Sequence, residues 1–343
     1  MSSRISPLLL PLLLLALTLF PGALFAQGEV NVYSARQEAL IKPLLDEFTD
    51  KTGIRVNLVT AKAGALLQRL RSEGRNSPAD LMITVDAGNL HNAREAGVLQ
   101  AVESDILDAA IPAQYRDPGN QWFGLSLRAR PIMVVDDQVG EGEVSRYEDL
   151  AHERFKRRIC IRSSENIYNQ SMIASMIVAK GEQQTETWAR GLVANMARPP
   201  QGGDRDQIRA AAAGQCDVAI ANTYYLAQML AGEDAGDREA ASRIRVIWPN
   251  QDDRGAHVNV SGAGLVSTAP NRDNAVRLLE FLVSDSAQQW YAESNQEYPV
   301  KADVAWSETL QSLGEFRADE INMGLLGENN AAAVRLMDRA GWR

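Results

Sequence analysis

The feature that most constrains this chain is a repeated change of hydrophobic period over residues 29–97. Residues 29–34, EVNVYS, alternate as a strand does, and residues 37–50 then set Leu40, Ile41, Leu44, Leu45 and Phe48 on one face of a helix that stops near Gly53. Residues 54–59 return to a strand, 65–73 to a helix, PADLMITVDAG to a strand and turn, and 89–96 to a helix stopped by Gly97. Strands joined through helices of this length pair in parallel, because each crossover returns the chain to the same end of the sheet. A doubly wound α/β lobe is therefore predicted.

A second set of the same kind follows. Residues 122–135, WFGLSLRARPIMVV, are extended, but Pro131 lacks the N–H that an uninterrupted central strand needs, so this run is read as the first crossing between two lobes. RRICIRSS is read as a strand, 167–179 and 182–196 as helices, RPPQGGD as a loop, 206–213 as a helix closed by Gly214, and 243–248 as a strand. HVNVSGAGLVS, residues 257–267, is extended and glycine-broken and is read as the return to the first lobe. Helices are expected at 273–283, at 286–293 and over much of 309–342. With 343 residues, 45% apolar and 23% charged, the chain is long enough for two cores.

Residues 1–26 stand apart. Arg4 is their only charge, residues 8–19 are nearly continuous hydrocarbon, and Ala26 ends the segment with a small side chain. They read as a secretory signal peptide, too short in its apolar run for a membrane span and followed by no lipobox cysteine. The expected location is the periplasm. The net charge of −9 argues against nucleic acid and anionic lipid as partners.

The residues with most chemical content lie in CDVAIANTYYLAQML, residues 216–230. Residues 218–221 are small and apolar, as in a strand buried on both faces, while Leu226, Met229 and Leu230 follow helical spacing. Asn222 and Thr223 are helix-capping types, so Tyr224 and Tyr225 fall at a helix N-terminus beyond the carboxyl end of a strand, where open α/β sheets bind ligands. Adjacent residues there point about 100° apart, which suits two corners of one metal ion. A phenol ionises near pH 10, so only a strongly polarising cation holds two phenolates at neutral pH, and ferric iron fits that demand. The other reading of the pair is simple packing against the opposite lobe.

NTYYLAQML, with GQCDVAIA before it, closely resembles the ferric-ion-binding proteins of bacterial periplasmic iron transporters. The resemblance spans nearly the whole mature chain and is densest in VYSAR, PADLMITVDAG, EAGVLQ, FGLSLRAR, CIRSSENIYNQS and CDVAIANTYY. It implies a type II periplasmic-binding-protein fold of two doubly wound α/β lobes joined by crossover strands, closing on a ligand by hinge motion. The lobes are expected at 27–127 plus 258–305, and at 128–257 plus 306–343. In the family's tyrosine-rich branch a third tyrosine follows a strand of the second lobe, which here is Tyr168. Tyr168, Tyr224 and Tyr225 are the implied ligands of Fe3+. Three phenolates balance the ion's charge but leave some of its roughly six positions for other oxygens.

Arg128 matches the position at which relatives hold a synergistic anion such as carbonate, and a guanidinium grips such an anion through two parallel hydrogen bonds. Arg130 is the alternative one register on. Many relatives carry histidine, and some a further tyrosine, after the YSAR-like segment, where this chain has Gln37 and Glu38. Gln37, Glu38 and Asp86 are thus possible additional ligands, with Arg36 nearby. Glu38 equally suits the first turn of a helix and Asp86 a helix cap. Cys160 and Cys216 each begin a strand leading to a proposed ligand loop and are read as a disulfide, two buried thiols or a soft-metal site being the alternatives.

The remaining tyrosines rank lower. Tyr115 and Tyr147 read as loop residues among charges, and His91 as lying on a polar helix face. No G-x-S-x-G, Walker loop, H-E-x-x-H or complete G-x-G-x-x-G is present, so an enzyme is not expected. The implied partner is an ABC permease of the inner membrane, served by a monomer. The alternative is a binding protein of the same fold for a phosphonate, phosphate ester or thiamine-like ligand, with Arg128, Ser163 and Ser164 on the anion.

Overall fold

The computed structural model describes residues 28–343. The expected signal peptide lies outside the described residues. Eleven strands form two sheets: β1 (Glu29–Ser34), β2 (Arg55–Thr60), β3 (Leu81–Val85), β4 (Leu99–Gln100), β5 (Phe123–Ala129), β6 (Ile132–Val135), β7 (Ile159–Cys160), β8 (Val218–Ile220), β9 (Ile244–Ile247), β10 (Val258–Val266) and β11 (Tyr298–Pro299). The larger sheet has the order β11-β5-β10-β3-β1-β2, with β4 also on β10. Its βαβαβ start is parallel as predicted, with Glu29 opposite Arg55 and Val32 opposite Leu81. The helix Lys42–Thr52 buries Leu44, Leu45 and Phe48 on this sheet and ends at Gly53, whose φ of 71° a larger residue adopts only with strain. The smaller sheet runs β7-β8-β6-β9, with β7 and β8 parallel.

The chain changes sheet twice. Between Ala129 and Ile132 it passes from β5 to β6, and after β9 it returns to β10, which runs antiparallel between β3 and β5. The change of sheet falls at Arg130–Pro131, two residues beyond the boundary read from the sequence, because Arg128 and Ala129 still pair with Asn259 and Val258. All nine residues of β10 are buried. Its glycines do not break it, contrary to the reading from sequence. A Cβ on Gly262 would meet the Phe123 carbonyl oxygen at 2.5 Å, and one on Gly264 that of Gln121 at 2.6 Å, so the glycines admit a close neighbouring backbone.

Tyr147 ties the two crossings together: its hydroxyl donates to the Arg130 carbonyl at 2.7 Å and accepts from the His257 N–H at 3.2 Å. It is fully buried, and Tyr115 nearly so, which corrects their reading as loop residues among charges. His91 is also buried rather than on a polar face, packed so closely on Gly327 that a Cβ there would lie 2.2 Å away. Residues 309–342 hold three helices, Glu308–Ser312, Gly324–Glu328 and Asn330–Ala340, separated by irregular chain.

Candidate metal centre

β7 and β8 are parallel neighbours, so the segments leaving their carboxyl ends emerge side by side. Beyond β7 the helix Ile167–Lys180 begins, with Asn166 as its N-cap accepting from the Tyr168 N–H at 3.1 Å. Beyond β8 the helix Thr223–Ala231 begins, with Asn222 in the N-cap position. Tyr168 is the second residue of one helix, and Tyr224 and Tyr225 are the second and third of the other. Two helix N-termini thus bring three phenols together. The Tyr224 hydroxyl donates to the Tyr168 hydroxyl at 3.3 Å, and the rings of Tyr224 and Tyr225 lie 4.2 Å apart between centroids, tilted by 38°.

Burial, and after it the neighbouring Tyr168 and Tyr225, raise the pKa of Tyr224 well above that of an ordinary phenol; Arg128 acts the other way. Tyr225 is raised by burial first, then by Tyr168 and Asp204. These two phenols therefore keep their protons at neutral pH until a cation displaces them. Among the described residues no group of three or more His, Cys, Asp or Glu is placed to hold a metal.

The phenols line a cleft of about 570 Å³ with Arg36, Gln37, Arg205, Gln228 and Glu297. Gln37 is exposed at this lining; Glu38, also exposed, starts the short turn Glu38–Leu40 and does not line it. Of the two roles read for Asp86, the structure displays the helix cap. It accepts from the Gly88 N–H at 2.8 Å and Ser171 Oγ at 2.7 Å on Oδ1, and from Asn259 Nδ2 at 2.9 Å on Oδ2, fully buried away from the cleft lining. Glu297 was not singled out from sequence, yet it is the carboxylate of the lining. Its Oε2 accepts from Arg36 Nη2 at 2.9 Å and Ser126 Oγ at 2.6 Å.

Arg128 lies beneath Tyr168, its Cζ 5.7 Å from the ring centroid. Nη1 donates to Ser261 Oγ at 2.7 Å, while the buried Nε and Nη2 have no protein acceptor. Arg36 likewise keeps Nε and Nη1 unpartnered. Buried N–H groups of this kind are costly without an acceptor, so both arginines are suited to an anion. Arg130 is not: its Nη1 and Nη2 are held by Asp204, Asn222 and Asn169. Arg162 and Arg205, also unmarked in the sequence reading, approach from the helix side, Arg162 Cζ lying 5.8 Å from the Tyr168 ring and Arg205 Nη2 donating to Gln228 Oε1 at 2.7 Å. Cys160 and Cys216 form a disulfide across β7 and the entry to β8, with Cα atoms 5.9 Å apart.

Comparison with known proteins bears on this arrangement. A family model described as bacterial extracellular solute-binding protein matches residues 76–317. Iron uptake protein A1 of Synechocystis sp. is 47% identical, over 92% of this chain and 88% of its own length. Among solved structures, that of the Trichodesmium protein (IdiA, FutA) in complex with iron and citrate ligands is 48% identical with a TM-score of 0.89, covering 92% of this chain and 100% of that one. Ferric iron-binding protein A of Mannheimia haemolytica in an open conformation is 42% identical with a TM-score of 0.86, covering 92% and 98%.

Proposed function

This chain belongs to the bacterial extracellular solute-binding proteins, and from that premise we propose that it captures ferric iron and hands it to an ABC permease of the inner membrane. The observation that carries the reading is the convergence of Tyr168, Tyr224 and Tyr225 at two helix N-termini beside the Arg128 guanidinium, whose Nε and Nη2 have no protein acceptor. Each phenol gives up a proton as it bonds to the ion, and three phenolates balance a 3+ charge. A small anion, carbonate or another, takes remaining positions and is held by Arg128, with Arg36 facing it from the cleft lining. Gln37 is a weak donor at the mouth, so the first lobe contributes charge and closure more than ligands. The names and titles of the relatives, iron uptake and an iron and citrate complex, support the cargo.

The protein binds and releases without converting its cargo, and the periplasm is its place of work. Among the described residues no helix is long and apolar enough to cross a membrane, in keeping with delivery to a separate permease. Lobes formed by 28–129 plus 258–305 and by 130–257 plus 306–343 close about the two crossings at Arg130–Pro131 and His257.

The test is a titration of the metal-free mature protein with ferric citrate, followed in the visible spectrum. One equivalent of iron and a phenolate-to-iron charge-transfer colour are expected. A colourless protein that retains no iron but takes up a phosphonate or thiamine establishes the alternative ligand class instead.

A further inference from the structure

At the two helix starts that carry the three phenols lies a buried hydrogen-bond network built on one carboxylate. Asp204 opens the helix Asp204–Ala212 and is 1% exposed. Its Oδ1 accepts from Arg130 Nη1 at 2.7 Å and from the Asn222 backbone N–H at 3.0 Å, and its Oδ2 from Arg162 Nη1 at 2.5 Å. Arg130 passes the connection on. Nη1 also donates to Asn222 Oδ1 at 2.8 Å, and Nη2 to Asn169 Oδ1 at 2.7 Å. Asn169 Nδ2 then donates to the carbonyls of Arg162 and Ser163 at 2.8 and 3.0 Å. Asn222 occupies the N-cap position of the helix bearing Tyr224 and Tyr225, and Asn169 follows Tyr168 directly. The two N-termini that carry the phenols are joined covalently by the Cys160–Cys216 disulfide upstream of both, and nearer to the phenols Arg130, held by Asp204, bonds to both.

We infer that Asp204 is a positioning residue for ferric capture, fixing Tyr168 against Tyr224 and Tyr225 through Arg130, Asn169 and Asn222. The inference rests on the functional reading above. Asp204 touches none of the three hydroxyls, so its part is indirect. As a negative charge the carboxylate disfavours neighbouring phenolates but favours the 3+ ion, and because three phenolates balance that ion the two effects offset, so charge alone predicts little change in affinity when it is removed. As a hydrogen-bond hub it sets the directions of two helix starts, and losing it lets the phenols drift from a shared point. Groups that orient metal ligands from the outer shell cost roughly 10–100-fold in affinity when removed, a loss that positioning predicts and charge alone does not.

The experiment compares the mature wild type with Asp204→Asn and Asn222→Ala. Ferric affinity is measured by citrate competition, the charge-transfer band by visible spectroscopy, and folding by thermal melting. Positioning predicts a roughly 10–100-fold loss of affinity in Asp204→Asn, with a shifted or broadened band in a protein that still melts cooperatively. Asn222→Ala keeps the carboxylate and its bond from the backbone N–H of residue 222 and removes the Arg130 connection to the Tyr224–Tyr225 helix, so a smaller loss in the same direction with an altered band is expected. Unchanged or tighter affinity with an unchanged band in a folded Asp204→Asn overturns the inference. Should Asp204→Asn fail to fold, the same unchanged result in Asn222→Ala overturns it. A wild type that takes up no iron overturns the functional reading and this inference with it, whereas an iron-binding wild type beside unchanged variants overturns the inference alone.

Discussion

At the scale of single residues, the phenol hydroxyls separate a metal site from a packed aromatic cluster. Tyr168→Phe, Tyr224→Phe and Tyr225→Phe each keep the ring and remove one donor oxygen. Each is expected to abolish or strongly shift the colour and weaken iron retention while melting close to wild type. Tyr115→Phe is the control, because Tyr115 is buried far along the chain in the turn Ala113–Tyr115 and does not line the cleft. Equal iron binding in all four variants, measured by equilibrium dialysis against citrate, removes the tyrosines from the site. The Tyr-Tyr pair was legible in the sequence because its strand-turn-helix context is local. Arg162, Arg205 and Glu297 were not, since nothing in their neighbours along the chain distinguishes them from ordinary surface charges. Glu297 meets Arg36 across a separation of 261 residues.

At the scale of elements, the smaller sheet is thin where it matters most. β7 has two residues and β8 three, so few ladder hydrogen bonds hold the pair whose ends present the phenols. The Cys160–Cys216 disulfide reinforces that junction. It spans 56 residues, and in the chain-entropy model a loop of that length contributes about 4 kcal/mol by restricting the unfolded chain. Reducing the bond, or replacing both cysteines with serine, should lower stability by an amount of that order in urea unfolding. Thiol counting under denaturing conditions on protein kept from reductant should find none free. Two free thiols, or unfolding curves that coincide, remove the bond from any account of the site. The choice among disulfide, free thiols and soft-metal site turned on whether two short strands lie next to each other, which is a matter of strand order.

At the scale of the whole molecule, the crossings between sheets carry a pH dependence. His257 sits at the second crossing, 3% exposed, with its backbone carbonyl accepting from the Arg130 N–H at 3.0 Å. Burial first, and then the nearby cations Arg130, Arg254 and Arg128, lower its pKa from 6.5 to about 3. The folded protein therefore keeps this imidazole neutral through a range in which the unfolded chain takes up a proton. Stability from this group is fully present above about pH 6.5 and falls as pH drops from there towards about 3, by up to ~1.4 kcal/mol per unit for one proton. His257→Gln removes that proton, so urea unfolding at pH 7.5 and 5.5 should show a smaller acid loss in the variant than in the wild type. Equal losses mean that His257 gains access to water at this crossing.

The alternation of strand and helix periods over residues 29–97, the proline at the first crossing and the phenols at a helix start were settled by the sequence itself. Each depends on residues within a turn or two of one another, where burial periodicity, capping and a missing N–H act directly. The final segment, read as helical over much of 309–342, is helical over most of it, but local pattern did not show the irregular chain between Ser312 and Gly324. Tertiary structure alone set Arg128 and Arg130 in different surroundings. The chain leaves the larger sheet between them, so one guanidinium stays on β5 beneath Tyr168 and the other turns under two helix starts. It likewise decided that Asp86 caps a helix, that Glu297 faces the cleft and that Asp204 joins two segments far apart in the chain. Those outcomes follow from strand order and from the direction each side chain takes at a crossing, and a shift of one residue reverses a strand's faces, so the identities along the chain do not determine them.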